Sequence, residues 1–340
     1  MVASSSNTSV SFVIATLNSG NVLTECLISI RRQTCTNIDI EIIIVDGGST
    51  DNTLTIAQDF NCKIIHNPLK TAEAAKTLGI KSAKSDYIVL ADSDNILPIH
   101  NWLQKMLLPL IVDNTIIGSE PWKYTYRSNG GFIERYSALT GVNDPYCLIA
   151  GNYDRQSLLT GKWTGLHIKI TNFPDYQTVR LTPGQIFPTI GANGTIYRSR
   201  ILKKYLTGDY FFDTDFINRL PNEFVFAKVK VGIIHTYCES SVTKFYRKQL
   251  RRVKDLYQFA SIRKFSPSQR NLQSSLKFTL YVITIAPLLY DTVRGYAKKP
   301  DPAWLFHPLA CLITLYLYST QTILYYLGLH QPLTRNQWHQ

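Results

Sequence analysis

Apolar and polar positions alternate along the first hundred residues in blocks. Residues 9–16 are apolar and β-branched and break at Asn18-Ser19-Gly20, after which Leu23, Cys26, Leu27 and Ile30 recur at helical spacing. Residues 38–45 form a nearly continuous apolar run, as expected of a central parallel strand covered on both faces. That run stops at Asp46; Gly47-Gly48 and the cap-forming Ser49, Thr50 and Asp51 then lead into Leu54, Ile56, Ala57 and Phe60 on a second helix. Residues 63–65 predict a third strand, 71–83 a third helix and 87–91 a fourth strand. Strand and helix in strict alternation, with a polar turn after each strand, predict an α/β fold with a doubly wound, mostly parallel sheet.

From 98 to 185 the pattern loosens into a helix around Trp102, Leu103, Met106, Leu107 and Leu110, followed by a stretch rich in Tyr, Asn, Gly and Trp. Long irregular stretches in compact domains are commonly binding loops, and aromatic faces with amide groups suit sugars or an amphipathic lipid acceptor; an ordinary small subdomain with exposed turns explains them equally well. Regularity returns in the glycine-rich turn and strand of 188–198, the helix opened by Asp213 and Asp215, and the alternating strand of 225–235 that ends on His235.

The fourth strand ends in Asp92-Ser93-Asp94. Side chains at i and i+2 of an extended segment point to the same side, so both carboxylates can face one hard cation, with Mg²⁺ or Mn²⁺ completed by water and phosphate oxygens. Asp, Ser and Asn also dominate turns for local reasons, so the pair alone is a weak signal. At the end of another strand, the Asp46 carboxylate can accept hydrogen bonds from a nucleoside edge or cap the following helix.

Four pieces together carry a more specific signal: Val13-Ile14-Ala15-Thr16-Leu17-Asn18; Glu41-Ile42-Ile43-Ile44-Val45-Asp46-Gly47-Gly48-Ser49-Thr50-Asp51; Ala74-Ala75-Lys76-Thr77-Leu78-Gly79-Ile80; and Asp86-Tyr87-Ile88-Val89-Leu90-Ala91-Asp92-Ser93-Asp94. In identity, order and spacing they resemble the nucleotide-sugar half of a family 2 glycosyltransferase of the GT-A fold. The resemblance implies that Thr16 and Asn18 lie near the nucleoside, that Asp46 bonds the base or ribose, and that Asp92 and Asp94 serve the metal and the donor diphosphate. It implies further that the Gly191-Ala192-Asn193-Gly194 turn and the arginine after it, Arg198, line the site beneath the donor sugar, with Gly191 and Asn193 as contacts. His235 would approach the metal diphosphate. The general base would be Asp213 or Asp215, with Arg219 in register but Phe212 in the place of the family's usual Glu. Gln249, Arg251 and Arg252 resemble the Gln-x-x-Arg-Trp element of processive members, with Val253 in the tryptophan's place, which weakens the case for long-chain polymer synthesis.

Composition adds a membrane. Of the formal net charge of +12, residues 241–277 carry +9, ten basic residues against Asp255 alone. Nucleic acid is the first thought for such a segment, but it runs straight into apolar sequence, and juxtamembrane cations are drawn to anionic lipid headgroups. No nucleic acid is therefore expected. Residues 278–290 are uncharged, a stretch of 13 that is short for a span and suits an interfacial or re-entrant helix as well; residues 304–329 are 26 long and uncharged, enough to cross a bilayer. Met1 to Ser9 lack the apolar core of a secretory signal, and six scattered cysteines indicate neither zinc nor a disulfide framework, so a cytoplasmic catalytic part at the cell membrane is expected.

The expected organisation is a nucleotide-sugar-binding half over 1–100, an acceptor-side half over 101–240, a basic juxtamembrane segment over 241–275 and a hydrophobic membrane segment of one or two helices over 276–330. The expected activity is inverting transfer, dependent on a divalent cation, of a sugar from a nucleoside-diphosphate sugar to a lipid-linked or membrane-proximal acceptor. A nucleotidyltransferase acting on sugar phosphates would be expected to show a glycine- and lysine-rich loop near the first strand, and Asn18-Ser19-Gly20 has no lysine; a membrane scaffold would not need Asp92, Asp94 and Asp213 together.

Overall fold

The computed structural model describes residues 7–263 and 272–332; Lys264 and Arg270 of the basic segment lie outside the described residues. The predicted alternation is present as β1 (Thr8–Thr16), α1 (Gly20–Arg31), β2 (Ile38–Asp46), α2 (Thr53–Asp59), β3 (Lys63–His66), α3 (Ala72–Ser82) and β4 (Tyr87–Asp92). The chain continues through β5 (Asn95–Ile96), α4 (Trp102–Val112), β6 (Ile116–Tyr124), α5 (Phe132–Thr140), α6 (Pro145–Ala150), β7 (Lys169–Asn172), β8 (Tyr176–Leu181), β9 (Thr195–Arg198), α7 (Ser199–Lys204), α8 (Asp213–Arg219) and β10 (Phe224–His235). It closes with α9 (Val242–Gln258), α10 (Leu272–Ile283), α11 (Ala286–Lys298), a 3₁₀ turn and α12 (Phe306–Tyr326).

Ten strands form one sheet in the order β3-β2-β1-β4-β9-β6-β10-β8-β7, with β5 paired to β10. β1, β2, β3 and β4 run parallel, as do β6 and β10, while β9 is antiparallel to both β4 and β6. Register aligns the carboxyl ends: Thr16 pairs with Asp46 and Ala15 with Asp92, so the polar residues that end each strand emerge along one edge. Helix α3 lies close against this half of the sheet through Gly79, where a Cβ would stand 2.3 Å from Cγ1 of Val13.

The loosely patterned region contains three strands of the sheet, β6, β7 and β8. β6 does not read as a strand because Glu120 and Pro121 interrupt it, yet Glu120 is fully buried and held by Arg155 and by Lys228, whose Nζ is 2.6 Å away. A buried carboxylate paired with two cations satisfies the polar group that alternation treats as a break. The C-terminal helices share a core with α5 and α6, through Tyr136, Tyr146, Phe245, Val253, Phe278, Trp304 and Leu317.

Candidate active site

The strand ends frame a cleft of about 660 Å³, a volume suited to a small-molecule ligand. Thr16, Asp92, Asp94, Gly191, Asn193, Asp213, His235, Arg251 and Arg252 all line it, brought together from six parts of the chain.

At its centre Asp92, Asp94 and His235 offer ligand atoms within 4.8 Å of one another. The two-residue strand β5 explains this grouping. It follows Asp94 directly and pairs antiparallel with the end of β10, setting Asn95 opposite His235. Asn95 also accepts from the Asp92 amide at 3.0 Å and donates to Asn193 Oδ1 at 3.0 Å, fastening the acidic turn to the glycine-rich one. His235 Nε2 lies 3.3 Å from Asp94 Oδ1, and its Nδ1 lies 3.2 Å from the Asn143 amide. Burial would raise the Asp94 pKa, but His235 and Lys248, the latter 3.5 Å away, hold it below the usual carboxylate range. Asp94 Oδ1 is buried and faces the His235 ring nitrogen without a well-formed hydrogen bond, and the two carboxylates and the imidazole fit a divalent cation.

On another wall stands Asp213, the first residue of α8. Lys76 of α3 donates to its Oδ2 at 2.6 Å, and its Oδ1 is buried without a hydrogen bond. Burial raises the Asp213 pKa and Lys76 opposes the rise without cancelling it, leaving a carboxylate with enhanced proton affinity. Asp215 faces away from the cleft; it is 1% exposed and ion-paired with Arg219 at 2.5 Å.

Three other expected contacts are set back from the wall. Asn18 is exposed and binds the neighbouring turn, accepting from the Thr50 amide at 2.8 Å. Asp46 is 3% exposed, and both its oxygens are engaged by Thr16 Oγ1, Ser49 Oγ and the amides of Gly48 and Ser49. Gln249 is fully buried and donates to the Asn143 carbonyl at 2.7 Å while accepting from Arg252 at 2.8 Å.

Arg198 departs from expectation altogether. Its guanidinium donates to the carbonyls of Leu110, Asp113 and Ile116. It occupies the carbonyl end of α4, a favoured place for a cation, and does not line the cleft.

Sequence reasoning assigned no role to Lys76, Asn95, Asn143, Asp144 or Asp154. Lys76 is the one with a visible signal, a lysine among the small residues Ala74, Ala75 and Thr77 of a buried helix face. Asp154 reaches the cleft from the buried group of Glu120, Arg155 and Lys228, and its pKa is raised chiefly by burial. Asp144 accepts from Tyr318 of α12 at 2.5 Å and lies 3.7 Å from Arg252.

The fold is shared with the solved mannosyltransferase of Pyrobaculum calidifontis in complex with GDP-Man and Mn²⁺, at a TM-score of 0.52 and 13% identity over 92% of this chain and 86% of that one. Among curated proteins, glycosyltransferase GlyG of Streptococcus pneumoniae is 43% identical over 93 residues, 26% of this chain and 30% of its own length. The chondroitin synthase of Escherichia coli is 26% identical over 214 residues, 61% of this chain and 30% of its own length. The chain thus spans less than a third of the length of these relatives. The model of the family described as glycosyl transferase family 2 matches residues 11–206, more than half of the sequence, and the chain belongs to that family.

Proposed function

We propose that this chain is an inverting glycosyltransferase that moves a sugar from a nucleoside-diphosphate sugar to a hydroxyl of a lipid-linked or membrane-proximal acceptor. One observation carries the reading: Asp213 lines the same cleft as Asp92, Asp94 and His235. A base and a cation site sharing one cavity are what a single displacement requires. The likeness to a mannosyltransferase holding GDP-Man and Mn²⁺ is consistent with it.

In this mechanism Asp92, Asp94 and His235 hold the divalent cation. Bound there, Mg²⁺ or Mn²⁺ supplies positive charge against the donor diphosphate. Lys248, Arg251 and Arg252 add fixed charge on the same side. Thr16 meets the nucleoside, and Asp46 acts through it by accepting its hydroxyl. Gly191 and Asn193 floor the sugar subsite, and Gln249 steadies Arg252. The acceptor oxygen attacks the anomeric carbon as the bond to the diphosphate breaks, and its proton passes to the Asp213 carboxylate. One displacement inverts the anomeric configuration. The helix Pro302–Tyr326, long and apolar enough to cross a bilayer and half buried in the protein, together with the basic segment before it, supports attachment of a cytoplasmic catalytic body to an anionic membrane surface.

A panel of nucleotide sugars, tested by thermal shift with and without Mn²⁺, is expected to give one donor whose stabilisation needs the cation. With that donor and polyprenyl-phosphate-linked sugars, release of nucleoside diphosphate and a new glycosidic bond is expected. Release of pyrophosphate instead would assign a nucleotidyltransferase, and no cation-dependent binding would refute the reading.

A further inference from the structure

The three C-terminal helices each turn one apolar stripe outward. On α10 it runs through Leu272, Leu276, Leu280 and Ile283, on α11 through Leu289, Val293 and Tyr296, and on α12 through Leu309, Leu312, Tyr316 and Ile323. Spacings of three, four and seven residues make each stripe a single helix face. The opposite faces are buried in the protein and polar in places: His307 lies between the hydroxyls of Tyr136 and Tyr281, and Tyr318 donates to Asp144 on the cleft wall. A helix bound in this way along one side cannot also be surrounded by lipid.

Helices α10 and α11 meet at 79°, at a break where Ile285 takes a left-handed φ of 61°. Ile283 and Ile285 at this convex corner are 61% and 55% exposed. The 12 residues of α10 extend roughly 18 Å at about 1.5 Å per residue, short of a hydrocarbon core of about 30 Å. The far end of α11 is tied back to the catalytic body, Arg294 and Lys298 donating to the carbonyls of Leu159 and Leu158 at 2.7 and 2.9 Å.

Charge identifies what covers this face. Among the described residues of the three helices, the exposed charged residues are Lys277 and Lys298, both cationic, the latter with its ammonium on the carbonyls of Leu158 and Leu159, while Asp291 is paired with Arg294. A second copy applied to the same face would bring cations to a surface without an exposed acid. Anionic lipid headgroups match them, and the exposed tyrosines suit the headgroup boundary. The face is also continuous with the cleft: Ser274 of α10 lines it, and Phe278 packs edge-on against Tyr146 of the cleft wall.

We propose that the outer faces of α10, α11 and α12 lie in the plane of one leaflet, with the corner at residues 284–286 dipping among the acyl chains. The chain is thereby held from one side of the membrane and does not cross it, and a lipid-linked acceptor reaches the cleft along α10. This rests on the membrane-proximal acceptor proposed above.

The test is flotation of the whole chain with vesicles of phosphatidylcholine and an anionic minority of phosphatidylglycerol. The triple variant Leu280→Asp, Ile283→Asp, Leu312→Asp should lose vesicle binding by about tenfold or more. Its thermal unfolding and its cation-dependent nucleotide-sugar hydrolysis in solution should stay as in the parent. Unchanged flotation overturns the proposal, as does a parent dimer that the variant dissolves while flotation persists. In sealed inverted vesicles from expressing cells, Pro302→Cys and Gln331→Cys should both react with a membrane-impermeant maleimide, above the parent's background, before detergent is added. Protection of either until detergent makes α12 a span and overturns in-plane docking. Failure of nucleotide-sugar hydrolysis with normal flotation would remove the transferase reading alone.

Discussion

Lys76 and Asp213, 137 positions apart, form an ion pair at 2.6 Å, with Lys76 only 7% exposed. The lysine holds one carboxylate oxygen, and the other is buried without a hydrogen bond. It also lowers the proton affinity that burial raises.

A pH dependence follows. Asp213 must be ionised to accept a proton, so activity falls as pH drops through its raised pKa. Lys76→Met removes the charge that opposes the rise, so the acid limb of the kcat/KM profile should move to higher pH. A limb that stays in place would show that another group governs it.

The two candidate bases should separate cleanly. Asp213→Asn should lower kcat by about 10²–10⁴ with the donor KM changed only slightly. Asp215→Asn leaves Arg219 without its partner and should lower stability by about 3 kcal/mol, while the folded fraction keeps near-normal specific activity. Thermal unfolding alongside initial rates reads both.

Asn95 touches no proposed ligand atom yet positions two of the groups around the cation. Asp94→Asn should abolish transfer in the folded protein. Asn95→Ala should raise the Mn²⁺ concentration needed for half-maximal rate by about 10–100-fold and leave the saturated kcat within a few-fold. Chelation should stop the parent enzyme and added Mn²⁺ restore it.

The hydroxyl of Tyr318 joins α12 to Asp144, which neighbours Arg252. Tyr318→Phe removes a hydrogen bond to a charged group, worth about 1.5–3 kcal/mol. The expected result is a lower unfolding temperature together with a weaker grip on the donor diphosphate, seen as a raised donor KM; an unchanged KM would confine the contact to stability.

The first four strands and their helices were legible because each obeys one period and ends in turn chemistry. The acidic turn was legible because its two carboxylates are neighbours in sequence. β6 was hidden by Glu120, whose counter-ions come from residues 155 and 228. The different surroundings of Asp213 and Asp215 were equally hidden, since both open one helix and only packing against Lys76 and Arg219 distinguishes them. Arg198 misled for a related reason: its place after the glycine turn is fixed by sequence, but the carbonyls it meets belong to α4 and the turn into β6.

The pairing of β5 with β10 has a consequence for the order of events as the chain folds. Asp94 and His235 are separated by 141 positions, and two residue pairs bring them together. Contacts of such sequence separation close late, after local structure has formed. The first half can therefore build its parallel strands and present its acidic turn while the cation site is still incomplete. On the proposed reading the cation site is complete only when the tenth strand docks, so a partly folded or truncated chain is unarmed.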